Sequence, residues 1–217
     1  MPPIVSVIGQ SKSGKTTLIE GLVAELKSRD YRVATIKHAA QDINFDEPGK
    51  DSWRHLQAGS EATAVVSKDR VRLIKSITPE NSLDEVARLI GDDYDIILTE
   101  GFKQANAPKI LVHRNGVGLP WRNIKKLIAI VGDEPLKTKV RQFSRQDVKG
   151  LADLLEEGFI KPQRERLALY INGDRVILSS FPRKIIGSVL INMVSSLKGV
   201  NKVRSLDIIL RRQPKQG

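Results

Sequence analysis

The chain has 217 residues, 40% of them hydrophobic, and a formal net charge of +11, which suits one domain, or one domain plus a small appendage, around a buried core. The absence of cysteine excludes disulfides, thiolate nucleophiles and cysteine metal sites. No run approaches the ~18 apolar residues of a membrane span, and MPPIVSVIGQ lacks the basic and long apolar regions of a signal peptide, so a cytoplasmic protein is expected.

Ile4 to Ile8 is a β-branched apolar run of the kind carried by a strand buried on both faces. GQSKSGKT, Gly9 to Thr16, follows without a gap and fits G-x-x-x-x-G-K-[ST] position for position. Gly9 and Gly14 let the backbone fold into a nest of N–H donors at a helix N-terminus, where the dipole favours phosphate. In this motif Lys15 reaches the β and γ phosphates and the Thr16 hydroxyl ligates Mg2+. Leu18, Ile19, Leu22, Val23 and Leu26 then recur at helical spacing as far as Arg29, and Arg32 to Ile36 reads as a second strand.

From His38 to Asp51 the chain is polar, too long and too charged for a mere connection. Ser52 is the expected N-cap of a short helix that Gly59 closes. Ala62 to Val66 and Val71 to Ile74, separated by Lys68-Asp69-Arg70, read as a hairpin, and Ser82 with Glu85 as a capping box before a helix reaching Ile90. In YDIILTEG, Glu100 stands at the C-terminal end of a strand, where ligands bind in open α/β sheets, and is the expected Mg2+ carboxylate. Asp95, at the other end, reads as a strand-entry or surface residue. Ile110 to His113 and Leu127 to Val131 are further strands, and Ser144 with Asp147 opens a helix carrying Val148, Leu151, Leu154 and Leu155 on one side. The pattern predicts an α/β fold, a mostly parallel P-loop NTPase sheet with helices on both faces. The guanine-reading sequence N-K-x-D has no match, so the base stays open; Gly132-Asp133-Glu134 offers a carboxylate that can accept from guanine N1 and N2.

Charge divides the chain. Residues 161–217 hold twelve lysines and arginines against three acids, net +9, which leaves +2 for residues 1–160. The expected division is a nucleotide-binding domain, 1–160, and a small basic domain, 161–217. In the latter, Leu167, Leu169 and Ile171 alternate, Asn172-Gly173 signals a hairpin, and Val176 and Leu178 resume the alternation. Pro182 starts a helix with Ile185, Ile186, Val189, Leu190, Met193 and Leu197 as its stripe, Gly199 ends it, and Leu206, Ile208 and Leu210 read as a closing strand, for a ββαβ order.

Three ordered segments, GQSKSGKTT, KHAAQDINFDEPGKDSWRHLQAGS and YDIILTEGFKQANAPKILVHR, resemble the molybdopterin-guanine dinucleotide biosynthesis protein B family over residues 4 to about 157. The resemblance implies a homodimeric P-loop protein that binds GTP and Mg2+ and hydrolyses GTP slowly. It implies a partner too: the guanylyltransferase that joins GMP to molybdopterin, or another molybdoenzyme maturation protein, with a molybdopterin-type anion as a further ligand. Carried over by residue, it has Gly9, Gln10, Ser11, Lys12, Ser13, Gly14, Lys15, Thr16 and Thr17 hold the phosphates, with Thr16 and Glu100 on the metal. Gly101, Phe102 and Lys103 line the same site, and Lys37 and His38 lie across from it. Asp51, with Asp46 second, orients attacking water or outer-shell Mg2+; Lys50, Arg54 and His55 meet an anionic phosphate or pterin. Relatives often carry extra histidines after the Lys-His pair, whereas this chain has Ala39, Ala40 and Gln41, which weakens a metal-site reading of His38, His55 and His113.

Other readings stand beside this one. Residues 49–60 also fit a solvated loop leading into a surface helix. A nickel-type metallochaperone GTPase shares the architecture but normally has a Cys- or His-rich site, and a small-molecule kinase would need a lid such as Arg114 and Arg122 around Gly116-Val117-Gly118. The basic tail has only Tyr170 and Phe181 to stack on bases, which favours docking to an acidic partner over binding nucleic acid.

Overall fold

The computed structural model describes residues 1–39, 46–76, 83–114, 124–162, 167, 169–172, 174–176, 178–200, 203, 206 and 208–210. It divides into two compact units, Met1–Arg164 and Glu165–Gly217. In the first, the elements run β1 (Ile4–Gly9), α1 (Lys15–Ser28), β2 (Val33–Lys37), α2 (Asp51–Gln57), β3 (Ala62–Val66), β4 (Val71–Lys75), α3 (Leu83–Ile90), β5 (Ile96–Glu100), β6 (Lys109–Val112), β7 (Leu127–Val131), β8 (Arg141–Phe143) and α4 (Val148–Leu155), which runs into a π turn, Glu156–Ile160.

Six strands form one sheet in the order β2-β5-β1-β6-β7-β8, every pair parallel. Alternation along the strands feeds two faces. Val5, Val7, Ile96, Leu98, Ile110 and Val112 meet Leu18, Leu22 and Leu26 of α1 and Leu151 and Leu155 of α4. The intervening residue Ile97 packs with Ala34, Ile36 and α3's Leu83 and Ala87, and Ile8 with Leu111 and Ile130. Helices therefore cover both faces, as the sequence predicts. All six parallel strands end on the same side of the sheet, which brings Gly9, Lys37, Glu100, Val112 and Val131 to one edge.

Local details differ from expectation. Ser52 lies inside α2, which is capped at Lys50 without a side-chain bond, so the acid of the first turn, Asp51, faces the helix dipole instead. Gly59 closes the helix as expected, at φ +102, with Ser60 N–H donating to His55 O. Asp147, not Ser144, caps α4, its carboxylate accepting from Gly150 N. Asp95 is a strand-entry residue, its Oδ2 accepting from Arg32 N at 2.8 Å. Ser82 and the Gly116–Gly118 and Arg122 segment lie outside the described residues. Strand β8 had no sequence signal: three residues, Arg-Gln-Phe, carry no apolar run.

In the second unit, β9 (Leu169–Ile171) and β10 (Asp174–Val176) pair antiparallel, and α5 spans Ser180–Ser195. Asn172 adopts φ +53 in the expected hairpin turn, whose Gly173 is outside the described residues. Pro182 sits in the first turn of α5. The described residues Leu206, Ile208 and Leu210 form no strand, so the observed order there is ββα. Among the described residues, no helix is long and apolar enough to cross a membrane.

Candidate functional site

Gly9–Thr16 fills the turn from β1 into α1. A Cβ on Gly9 would lie 2.5 Å from Ser13 Oγ and 2.7 Å from Val112 O, so only glycine lets the loop pass this close to β6. Gly14, at φ +96, is the N-cap of α1, and Lys12 also takes a left-handed φ of +59. Such reversals turn successive N–H groups toward a common concavity. Lys15 folds back over the loop, its Nζ donating to Gln10 O at 2.7 Å. Ser13 is 4% exposed, yet its Oγ has no hydrogen-bond partner among the described residues. A buried hydroxyl without a partner is costly unless something else supplies one.

Glu100 reaches this loop from the end of β5. Its Oε2 accepts from Thr16 Oγ1 at 3.0 Å and lies 3.8 Å from Lys37 Nζ. Lys15 lies close enough to feel the charges of Glu100, Lys103 and Lys37. Burial pulls the Lys15 pKa below its ordinary value, Glu100 pushes it up, and Lys103 and Lys37 pull it down again. His38 is held by its N–H donating to Glu100 O at 2.9 Å, and its ring meets Phe102 edge-on with centroids 5.0 Å apart. Gly101 and Phe102 adopt φ +98 and +54 in succession. Left-handed backbone at a bulky residue is strained and persists where surrounding contacts enforce it, commonly at ligand sites. The structure brings Lys15, Thr16, Lys37, His38, Glu100, Gly101 and Lys103 into one neighbourhood.

On the other side of the P-loop stands a residue the sequence reading missed. Arg145 donates from Nη2 to His113 O at 3.0 Å, and its Nη1 would be 3.0 Å from a Cβ on Gly14. Its Nε lies 2.8 Å from Asp133 Oδ1, a charge contact without hydrogen-bond alignment. Arg114 adds a long bond to Lys12 O at 3.4 Å. The missing signal was β8: once that strand is known, Arg145 follows it at the ligand edge of the sheet. Asp133, Glu134, Gln142, Phe143 and Ser144 line a hollow of about 200 Å³ just beyond the ends of β7 and β8.

The segment Lys50–His55 is apart from this cluster. Its ion pairs are local: Lys50 with Glu47 at 3.6 Å and Arg54 with Asp51 at 3.7 Å. Asp51 is 90% exposed, and among the described residues no hydrogen bond or ion pair joins α2 to the P-loop or to Glu100. Asp46 accepts from Glu47 N within the same stretch.

A family model described as molybdopterin guanine dinucleotide synthesis protein B matches residues 4–133, the stretch that holds the P-loop, Glu100 and Asp133. The chain belongs to that family. A molybdopterin-guanine dinucleotide biosynthesis adapter protein of Escherichia coli is 36% identical over 163 residues, 72% of this chain and 93% of that protein. Its Haemophilus influenzae counterpart is 35% identical over 156 residues, 71% and 88%. The crystal structure of Bacillus subtilis MobB matches with a TM-score of 0.59 at 26% identity, over 72% of this chain and 98% of that one. Each alignment falls short of the full chain.

The donor set of the family site fits a hard divalent cation. Thr16 Oγ1 and Glu100 Oε2 are paired oxygens of the kind Mg2+ takes, and among the described residues no group of three or more His, Asp or Glu could cage a metal. Mg2+ ordinarily binds through one or two protein oxygens plus phosphates and water, so a two-oxygen site suffices.

Proposed function

We propose that this chain is a GTP-binding adapter of molybdenum-cofactor biosynthesis, assisting the attachment of GMP to molybdopterin and hydrolysing GTP slowly. The observation that carries the nucleotide half is the meeting of a P-loop with Glu100 through Thr16. The names of the relatives carry the pathway half.

In this reading the loop amides from Gly9 to Thr17 receive the phosphates, and Lys15 leaves Gln10 O to reach the β and γ oxygens. Thr16 and Glu100 hold Mg2+, which neutralises phosphate charge in the bound state. Lys37, Lys103 and His38 face the γ end and screen it. Arg145, anchored on His113 O, pairs with Asp133 beside Gly14, and Asp133 accepts from the guanine edge in the hollow beyond β7. Asp51 orients water or outer-shell Mg2+, with Lys50 and Arg54 as phosphate or pterin contacts. Because α2 stands free of the P-loop here, those assignments require it to approach once nucleotide is bound. Slow turnover follows from a water-orienting group that is not held in place.

A homodimer belongs to the same proposal, supported by the hairpin β3–β4. Among the described residues it forms a sheet of its own, with neither edge paired. On one face, Ala64 pairs with Leu73 and Val66 with Val71, and all four are exposed. A lone two-stranded ribbon is marginal in water, and a second copy laid against this aliphatic face would stabilise both.

The test is reconstitution. Molybdopterin, GTP, Mg2+ and a molybdenum-cofactor guanylyltransferase are incubated with and without this protein, and dinucleotide formation is followed. Faster or more complete formation, lost with Lys15→Ala, supports the adapter role; no effect from folded protein at equimolar ratio refutes it.

A further inference from the structure

Helix α5 is covered on one side only. Ile186, Leu190 and Val194 are half-buried, while Phe181, Ile185, Val189, Met193 and, two residues beyond the helix, Leu197 are exposed by 71, 47, 51, 60 and 58%. Phe181, Ile185, Val189 and Met193 are spaced by four, so each neighbours the next and they form an apolar ridge about 18 Å long at 1.5 Å per residue that winds slowly around the helix, with Leu197 just past its end. A contiguous apolar surface on the order of several hundred Å² marks an interaction site more often than an accident of folding.

The charges around the stripe say what kind of partner fits. From Ser180 to Val200 there is no Asp or Glu; Arg183 and Lys184 flank one end and Lys198 the other, all exposed. Arg183 is held in place by its Nη2 donating to Leu178 O at 3.1 Å. It stands in the first turn, where the helix dipole opposes a cation and no acid offsets it, so an anion from outside would relieve both. Between the cationic ends the polar positions are the neutral Ser188, Asn192, Ser195 and Ser196. A helix that lies on anionic lipid carries Lys and Arg along its whole polar face, which this one does not. A second copy of α5, parallel or antiparallel, would set cations against cations at both ends.

We infer that the exposed face of α5 docks an acidic, amphipathic segment of a partner protein, with apolar side chains against the stripe and carboxylates against Arg183, Lys184 and Lys198. Met193 and the other flexible or branched side chains can repack around such a segment, while the charged ends fix its register and speed encounter. The surface lies wholly within the second unit and does not depend on nucleotide binding.

The probe is a fluorescein-labelled 20-residue helical peptide with leucines at every fourth position and glutamates at both ends, titrated with the full chain and followed by anisotropy. A matching peptide with lysine in place of glutamate is the charge control. The glutamate peptide is expected to bind saturably and the lysine peptide not. Val189→Asp should weaken binding at least tenfold, and the double variant Arg183→Glu, Lys184→Glu roughly tenfold. Lys15→Ala should leave it unchanged, which separates this surface from the nucleotide site. Circular dichroism and thermal melts check that each variant is folded; if Val189→Asp is not, the charge-reversal variant decides. No binding of the glutamate peptide, or binding that the folded variants do not alter, overturns the inference. So does cosedimentation with phosphatidylglycerol vesicles that Val189→Asp abolishes, which reassigns the face to lipid, or a dimer that dissociates in the same variant.

Discussion

Thr16 Oγ1 donates to Glu100 Oε2 at 3.0 Å, joining the first turn of α1 to the end of β5 across 84 residues of sequence. Glutamine at 100 keeps an oxygen for that bond and removes the charge. Glu100→Gln is therefore expected to retain the fold and to lose most of the Mg2+ dependence of nucleotide binding, about tenfold or more. Without Mg2+ it should bind nucleotide as tightly as wild type or tighter, because one negative charge near the phosphates is gone. Titrations with and without Mg2+ read both arms.

Gly101 and Gly91 form a matched pair. Both take a left-handed backbone, φ +98 and +97, but a Cβ on Gly101 would lie 3.1 Å from His38 Cβ whereas one on Gly91 meets nothing within 4 Å. Alanine at either position incurs about 1 kcal/mol of backbone strain. Gly101→Ala is expected to cost about 1 kcal/mol more in urea unfolding, and to weaken nucleotide binding by displacing His38; Gly91→Ala should spare binding.

The central strands and the Gly9–Thr16 motif were legible because each is carried by a contiguous signal: apolar runs for β1, β5, β6 and β7, and a fixed pattern for Gly9–Thr16; the order of the strands in the sheet was not. Glu100 was legible for the same reason, as the polar residue that ends a buried run. Strand β8 was not, since an edge strand of three residues needs no apolar pattern. Arg145 was lost with it, because its place depends on where the chain re-enters the sheet. In the tail, alternation at Leu206–Leu210 resembled a strand, but a pattern without a partner to pair with does not make one among the described residues. The polar stretch before α2 was recognised as unusual, yet charge alone does not say whether such a segment touches the site.

Acid titration offers a test of the first unit's other anchor. Glu156 accepts from Arg29, Lys161 and Tyr31, and Arg29 also meets Glu25 and Asp153. The Arg29 guanidinium, then Lys161, pulls the Glu156 pKa from 4.5 to about 2. The folded value lies below the unfolded one, so this stabilisation is complete above pH 4.5 and is lost as pH falls toward 2. Glu156→Gln is expected to be less stable at pH 7 by about 1–3 kcal/mol, with the gap closing through that window. Denaturant unfolding at a series of pH values measures it.

The proposed homodimer is testable at the hairpin. Val66 and Leu73 are 75 and 46% exposed on its aliphatic face. Aspartates at both positions leave the opposite face, where Thr63 is buried, untouched and place charge in the proposed interface. Sedimentation velocity should show a dimer for wild type and a monomer for Val66→Asp, Leu73→Asp; equal sedimentation of the two would place the dimer contact elsewhere or remove it.

The most direct measurement is calorimetric titration of the folded chain with GTP and with ATP in the presence of Mg2+, repeated on Lys15→Ala. The expected result is saturable heat with GTP, weaker or absent heat with ATP, and loss of both in the variant. Folded wild-type protein that gives no heat at millimolar GTP, or a Lys15→Ala variant that binds as well as wild type, would contradict a phosphate grip at Gly9–Thr17.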